Sequence, residues 1–241
     1  MDKKAKGDFE KFKLIKIFEN CGENLLQELY KQSKFKKFRD NETIIGQVKE
    51  SKFTYFILSG CVFVKYNSHH GKEMFVRAFG SGEIFGEIST FDGRRSNGSF
   101  VASGDVTVAA IPKKLFRKIC SENAEIAFAT LNTLAIRTRW LLRRMIELST
   151  LGAANRVHAE LLRIGRNNHV SENCAEIKPS LTHTEIAFRA STQREVVSRE
   201  INYLKKQNIV RTNRTCLCID DMARLEEIVD NATGNAGPIP D

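Results

Sequence analysis

The stretch THTEIAFRASTQREVVSREINYL, Thr182 to Leu204, decides how the rest of the chain is read. Thr182 and Glu185 have the spacing of a capping box, in which hydroxyl and carboxylate satisfy each other's free backbone N–H groups, so a helix starts at His183. Ile186 and Ala187 give that helix a small apolar face, and Ala190-Ser191 breaks the pattern. Thr192 and Glu195 repeat the capping spacing and start a second helix, in which Val197, Ile201 and Leu204 recur at helical spacing and are expected to be buried. At ~100° per residue, Glu195, Ser198, Arg199 and Asn202 fall on the opposite side, with Arg194 beside them in the first turn. Two short helices presenting Arg, Glu and Arg early in the second suit a DNA-binding helix-turn-helix, since Arg grips guanine O6 and N7 and Glu accepts from cytosine N4. Taken alone, the pattern also suits a solvated helix whose Glu195 serves only the cap. The surrounding chain has to decide.

The 241 residues suffice for one large or two modest domains, and the net charge of +9 favours an anionic partner. Double-stranded DNA fits that charge, as ribosomal or membrane-surface partners do. No apolar core follows Met1-Asp2-Lys3-Lys4 and no run approaches membrane-spanning length, so no signal peptide, no membrane partner and a cytoplasmic location are expected. Cys21, Cys61, Cys120, Cys174, Cys216 and Cys218 are scattered and expected to be reduced. Cys216-x-Cys218 is too close for a usual zinc pair, and alternation along a strand puts both side chains on one face, a pattern that looks like packing.

Asp8 to Gln32 reads as helical and basic. From Phe35 to Ile111 short runs rich in aromatic and β-branched residues alternate with glycine turns: Thr43–Ile45, Tyr55–Leu58, Val62–Tyr66, Glu73–Ala78 and Val106–Ile111, with breaks at Ser59-Gly60, His70-Gly71, Gly80-Ser81-Gly82 and Asp92-Gly93. That spacing predicts a small antiparallel barrel or sandwich. After Pro112 the pattern turns helical. Leu131, Leu134, Thr138, Leu141, Met145 and Leu148 alternate at spacings of three and four, an a/d seam flanked by Arg137, Arg139, Arg143 and Arg144, which predicts a homodimer. Another helix begins at Leu151 and ends near Gly165, and Asn167 to Pro179 reads as a loop. Ile209–Arg211 and Cys216–Ile219 flank a turn as a hairpin wing, whose Arg211 and Arg214 are placed to touch phosphates. Asp220 or Asp221 caps a last helix through Val229. The tail from Asn231 is expected to be disordered.

The order of these parts resembles the Crp/Fnr family of bacterial transcription regulators, over roughly Ile17 to Val229. The motifs that carry the resemblance are Tyr55-Phe56-Ile57-Leu58-Ser59-Gly60, Gly82-Glu83-Ile84-Phe85-Gly86-Glu87-Ile88, and Arg194-Glu195 with Val197 and Arg199. Leu151 to Leu162, LGAANRVHAELL, looks like the alphaproteobacterial branch. The resemblance implies an α+β fold: an N-terminal β-roll or jelly roll (residues 1–120), a long dimerisation helix (121–150), a C-terminal winged helix-turn-helix (151–230) and a tail (231–241). It implies a dimer on a palindromic site of TGTGA type read by Arg194, Glu195 and Arg199, with Thr182 and Ser198 as further DNA-binding candidates, and a partnership with RNA polymerase.

The resemblance further implies a cyclic nucleotide, such as cyclic AMP, as effector in the β domain. Gly86 and an Arg would hold its phosphate, Glu87 would accept from the ribose hydroxyl, and Ser96 would donate to phosphate. Arg94 and Arg95 both match the phosphate grip, with Arg95 favoured because Ser96 follows it. The purine-contacting position of the family falls near Leu141 and Leu142, which form no hydrogen bond to a base. A nucleotide, another ligand and an empty pocket all stay open on this reading. Cys21 alone near the N-terminus does not make an iron–sulfur set, and His69-His70 at a hairpin tip reads as solvated rather than as a haem ligand. The chain has no phosphate loop, nucleophile elbow or metal-spaced His cluster, so it is not expected to be an enzyme.

Overall fold

A computed structural model of the protein describes residues 3–68, 73–213 and 215–232. The chain divides into two compact units, residues 1–137 and 138–241.

In the first unit the stretch expected to be helical over 8–32 is α1 (Lys3–Lys13), a 3-10 turn (Lys16–Phe18) and α2 (Glu23–Gln32). The break falls where the Lys16 N–H donates to the Gly82 carbonyl and Gly22 takes the N-cap of α2. The strands follow as β1 (Lys34–Phe38), β2 (Thr43–Ile45), β3 (Phe53–Asn67), β4 (Glu73–Phe79), β5 (Ile84–Phe85) and β6 (Ser99–Pro112), with the short helix α3 (Glu87–Asp92) between the last two. All pairings are antiparallel, in the order β1-β6-β3-β4, with β2 on β6 and β5 on β3.

The two runs expected on either side of Ser59-Gly60 are one strand. Gly60 makes a bulge rather than a turn: its φ is +90°, and a Cβ there would lie 2.4 Å from the Asp105 carbonyl oxygen. Period-two alternation then sorts β3 and β6 between two cores. Tyr55, Ile57, Val106, Val108 and Ala110 join Phe79 and Phe85 on one face, while Phe56, Leu58, Ala109 and Ile111 meet Phe12, Phe18 and Phe116 of the helices on the other. Helix α4 (Lys113–Glu122) covers that second face, and α5 (Ala124–Thr150) follows.

In the second unit α6 (Ala153–Arg166) leads into β7 (His169–Ser171) and β8 (Cys174–Ile177), a hairpin in the segment expected to be a loop. Its apolar signal is short, since only Ala175 and Ile177 reach the core, and β8 is held by pairing with a strand some forty residues later. Then come α7 (His183–Arg189), α8 (Arg194–Lys206), β9 (Val210–Thr212), β10 (Leu217–Ile219) and α9 (Met222–Ala232), with the sheet in order β7-β8-β10-β9. Helix α9 runs past the expected end at Val229, so Asn231 and Ala232 are helical rather than part of a disordered tail; residues 233–241 lie outside the described residues. Asp221 caps it, accepting from the Arg224 N–H at 3.0 Å, which with the Asn173 amide holds the Asp221 carboxyl below its usual range. No helix among the described residues is long and apolar enough to cross a membrane.

Candidate DNA interface and effector site

The helix pair takes its shape from the buried side. Ile186, Ala187, Ala190, Val197, Ile201 and Leu204 all sit in the core of the second unit. The capping box on α7 forms in full: the Thr182 hydroxyl accepts from the Glu185 N–H, and the Glu185 carboxylate accepts from the Thr182 N–H at 2.7 Å. Its expected counterpart does not form. The N-cap of α8 is Gln193, with no side-chain cap bond, and Thr192 lies one residue outside. Ser191, next to Thr192 in the turn, is in the left-handed region at φ 52°.

This turn is pinned by an arginine that the sequence reading did not single out. Arg156 on α6 donates to the carbonyl oxygens of Ala190 (3.1 Å), Ser191 (3.0 Å) and Leu151 (2.8 Å). A second arginine, Arg144, donates to the Arg189 carbonyl, placing a cation at the C-terminus of α7. Arg144 also meets Glu147 at 2.9 Å, Glu147 holds Arg163, and Arg163 holds Glu160. Arg137 and Arg144, two of the arginines expected to flank the seam, are both buried.

With the core satisfied, the outer face of α8 presents Arg194, Glu195, Arg199 and Asn202, all exposed. Arg199 has 72% of its side chain accessible and stands 3.4 Å from the Glu200 carboxylate. Ser198 is half-buried, its Oγ 2.7 Å from His183 Nδ1 across the two helices. Thr182 is exposed but tied to Glu185. In the wing, Arg211 is bound two-pronged by Asp220, at 3.0 and 3.2 Å. Arg214 lies outside the described residues.

Two histidines lie behind this face. His158 is buried, with Nε2 3.1 Å from the Glu200 carboxylate, out of line for a hydrogen bond, and its ring stacked near Tyr203. Burial holds its pKa below the usual value despite Glu200. His183 is lowered too, by burial first and then by Lys205 and Arg194.

The expected effector residues lie at the start of α3 and in the loop after it. Gly86 turns the chain into α3 at φ 79°, a conformation that favours glycine. Glu87 follows it and is only 2% exposed. Its carboxylate accepts from Arg137 Nη1 at 2.5 Å, and Arg137 also donates to the Ile84 carbonyl and stands 4.7 Å over the Phe79 ring. Arg77 approaches the same ring at 4.9 Å and pairs with Glu83 at 2.8 Å. Ser96 is buried and donates to the Gly98 carbonyl at 2.6 Å, while Arg94 and Arg95 are exposed. Behind Glu87 the space between the strands is filled with rings: Phe85 stacks on Tyr55 at 4.9 Å and on Phe100 at 5.1 Å. A cavity of about 110 Å³ beside the network, lined by Lys16, Arg77, Glu83, Thr133, Ile136 and Arg137, is smaller than the ~300–1,000 Å³ typical of ligand pockets. Glu87 and Ser96 are thus both buried and already bonded within the fold, to Arg137 and to Gly98, whereas Arg95 is exposed.

An antiparallel sensor-type sheet, a long helix and a winged helix-turn-helix define the class: a DNA-binding regulator. Residues 35–123 match the cyclic nucleotide-binding domain and residues 155–228 the Crp-like helix-turn-helix domain. The cyclic AMP receptor protein of Thermus thermophilus is 30% identical over 72% of this chain and 78% of its own length. The cAMP-activated global transcriptional regulator CRP of Haemophilus influenzae is 26% identical over 73% of this chain and 80% of its own. In fold, the chain is similar to a CooA mutant from Carboxydothermus hydrogenoformans (TM-score 0.75, 20% identity, 90% of this chain and 95% of that one). It is likewise similar to FixK2 from Bradyrhizobium japonicum (TM-score 0.71, 19% identity, 81% and 96%). The chain belongs to the Crp/Fnr family of transcription regulators.

Proposed function

We propose that the protein binds a palindromic site of TGTGA type as a homodimer in the cytoplasm, regulates transcription there with RNA polymerase, and is not an enzyme. The observation that carries this reading is the face of α8: its apolar side is fully buried, leaving Arg194, Glu195 and Arg199 directed outward with Ser198 beside them. The homodimer is supported by the seam on α5, where Leu131, Leu141, Met145 and Leu148 are 59%, 51%, 60% and 40% exposed, more apolar surface than a lone helix leaves to water without a partner. Half-sites about one helical turn apart follow from two recognition helices entering successive major grooves. Selection of duplexes from a random pool, with and without cyclic AMP, tests the reading; recovery of no symmetric sequence in either arm overturns it.

For the effector we infer a cyclic nucleotide at Gly86, Glu87, Ser96 and Arg95. A second reading, DNA binding without nucleotide, is favoured by the burial of Glu87 against Arg137 and by the bond from Ser96 to Gly98. Calorimetry with cyclic AMP and cyclic GMP, on wild type and Arg95→Ala, separates the two: no heat with either nucleotide supports the second.

A further inference from the structure

The wing sheet has two faces, and only one belongs to the core. Ala175, Ile177, Val210, Leu217 and Ile219 point into the core of the second unit. By alternation, the register pairs Cys218↔Glu176 and Cys218↔Arg211 lie on the other face. Cys216 shares that face, two residues along. A face turned away from the core is ordinarily polar, yet both thiols are 2% and 4% exposed, with their sulfurs 3.0 Å apart. Their register partners are charged: Glu176, which Lys178 pairs with, and Arg211. Packing alone gives no reason for two thiols beneath a carboxylate.

The sulfurs of Cys216 and Cys218 and a carboxylate oxygen of Glu176 all lie within 4.8 Å of one another, the one such cluster of three among the described residues. We propose that these three side chains form a binding site for a thiophilic divalent cation of the zinc class, on the outer face of the wing. Two thiolates and one carboxylate leave a fourth, tetrahedral position for water. With metal–sulfur bonds of about 2.3 Å the sulfurs would stand about 3.8 Å apart, against 3.0 Å in the free pair. Binding forms two metal–sulfur bonds and one metal–oxygen bond, breaks two S–H bonds, and releases both protons to solvent. The loaded site carries one net negative charge beside the Lys178 and Arg211 cations. Because binding displaces both thiol protons, affinity falls as pH falls.

The test uses the full chain, treated with chelator and kept reduced with a phosphine. Cobalt(II) is expected to give a sulfur-to-metal charge-transfer band saturating at one ion per chain and displaced by zinc(II), with two protons released per ion. Cys216→Ser and Cys218→Ser each lose the band, Glu176→Gln weakens binding, and Cys174→Ser keeps the band. Should the serine variants fail to fold, alkylation of the wild type read by mass spectrometry replaces them: zinc slows modification of Cys216 and Cys218 and leaves Cys21, Cys61, Cys120 and Cys174 unaffected. Absence of the band in the wild type, its persistence in both serine variants, or equal zinc protection of all six thiols overturns the proposal.

Discussion

Arg156 Nη2 donates to the carbonyl oxygen of Ser191 at 3.0 Å, and Ser191 is the residue that the helix-turn-helix holds in the left-handed region, at φ 52°. The turn is thus shaped by a cation on a different helix rather than by its own side chains. Arg156→Ala is expected to destabilise the winged unit by about 2–3 kcal/mol, since charge-assisted hydrogen bonds are lost from the turn. Ser191→Val is expected to cost about 1–2 kcal/mol through its β-branched side chain in the left-handed region, and Ser191→Gly to be near neutral. Denaturant unfolding of the three variants checks this. A larger loss for Gly than for Val reverses the account.

Arg199→Ala is expected to weaken binding to the preferred duplex by about 1–3 kcal/mol and to relax one base position. Uniform loss across all duplexes in a competition assay would make Arg199 a phosphate contact instead.

In the wing, Asp220 holds the Arg211 guanidinium. Asp220→Asn is therefore expected to raise DNA affinity and to steepen the dependence of log affinity on log salt by about one. A salt titration that gives parallel lines for the variant and wild type rejects a phosphate role for Arg211.

His158 and His183 both sit below their ordinary value of 6.5 in the folded chain, chiefly through burial. The unfolded chain then binds more protons just under that pH, so their contribution to stability is complete above 6.5 and is lost as pH falls below it. Glu200 works against the shift at His158, while Lys205 and Arg194 add to it at His183. Thermal melts of the winged unit's signal from pH 8 downward are expected to fall below 6.5, and His158→Gln to flatten that slope. An unchanged slope in the variant assigns the fall to other groups.

Glu87 and Arg137 are buried together, so removing one leaves the other charged and without its partner. Arg137→Ala is expected to cost about 3–5 kcal/mol, and the double variant Arg137→Met with Glu87→Leu much less than the sum of the single changes. Additivity in urea unfolding would show that the pair contributes nothing jointly.

The helix pair, the wing hairpin and most of the sheet were legible because their signals are local: a capping box, burial of Val197, Ile201 and Leu204 at helical spacing, and glycine breaks between aromatic runs. What was hidden depends on partners remote in sequence. β8 is a strand because β10 pairs with it, and Arg137 and Arg144 are buried because Glu87 and the Arg189 carbonyl meet them. Both arginines read only as flanks of the seam, since nothing in a heptad says which of its polar positions faces a carboxylate. Thr192-x-x-Glu195 had the right spacing for a cap, yet with Ser191 in the left-handed region the N-cap falls on Gln193 and the helix starts at Arg194. The candidate effector residues were found by resemblance, but their engagement with Arg137 and Gly98 was not visible in spacing.

The register of the first sheet also sets an order of events during synthesis. Lys34 pairs with Ala110 and Phe53 with Pro112, so β1 and the start of β3 wait for the far end of β6 before either can close. On a ribosome, that sheet stays an open set of aromatic edges until Pro112 has emerged, and such long-range pairing is slow. The nascent chain is most exposed to aggregation over this interval, well before a recognition helix exists to bind anything.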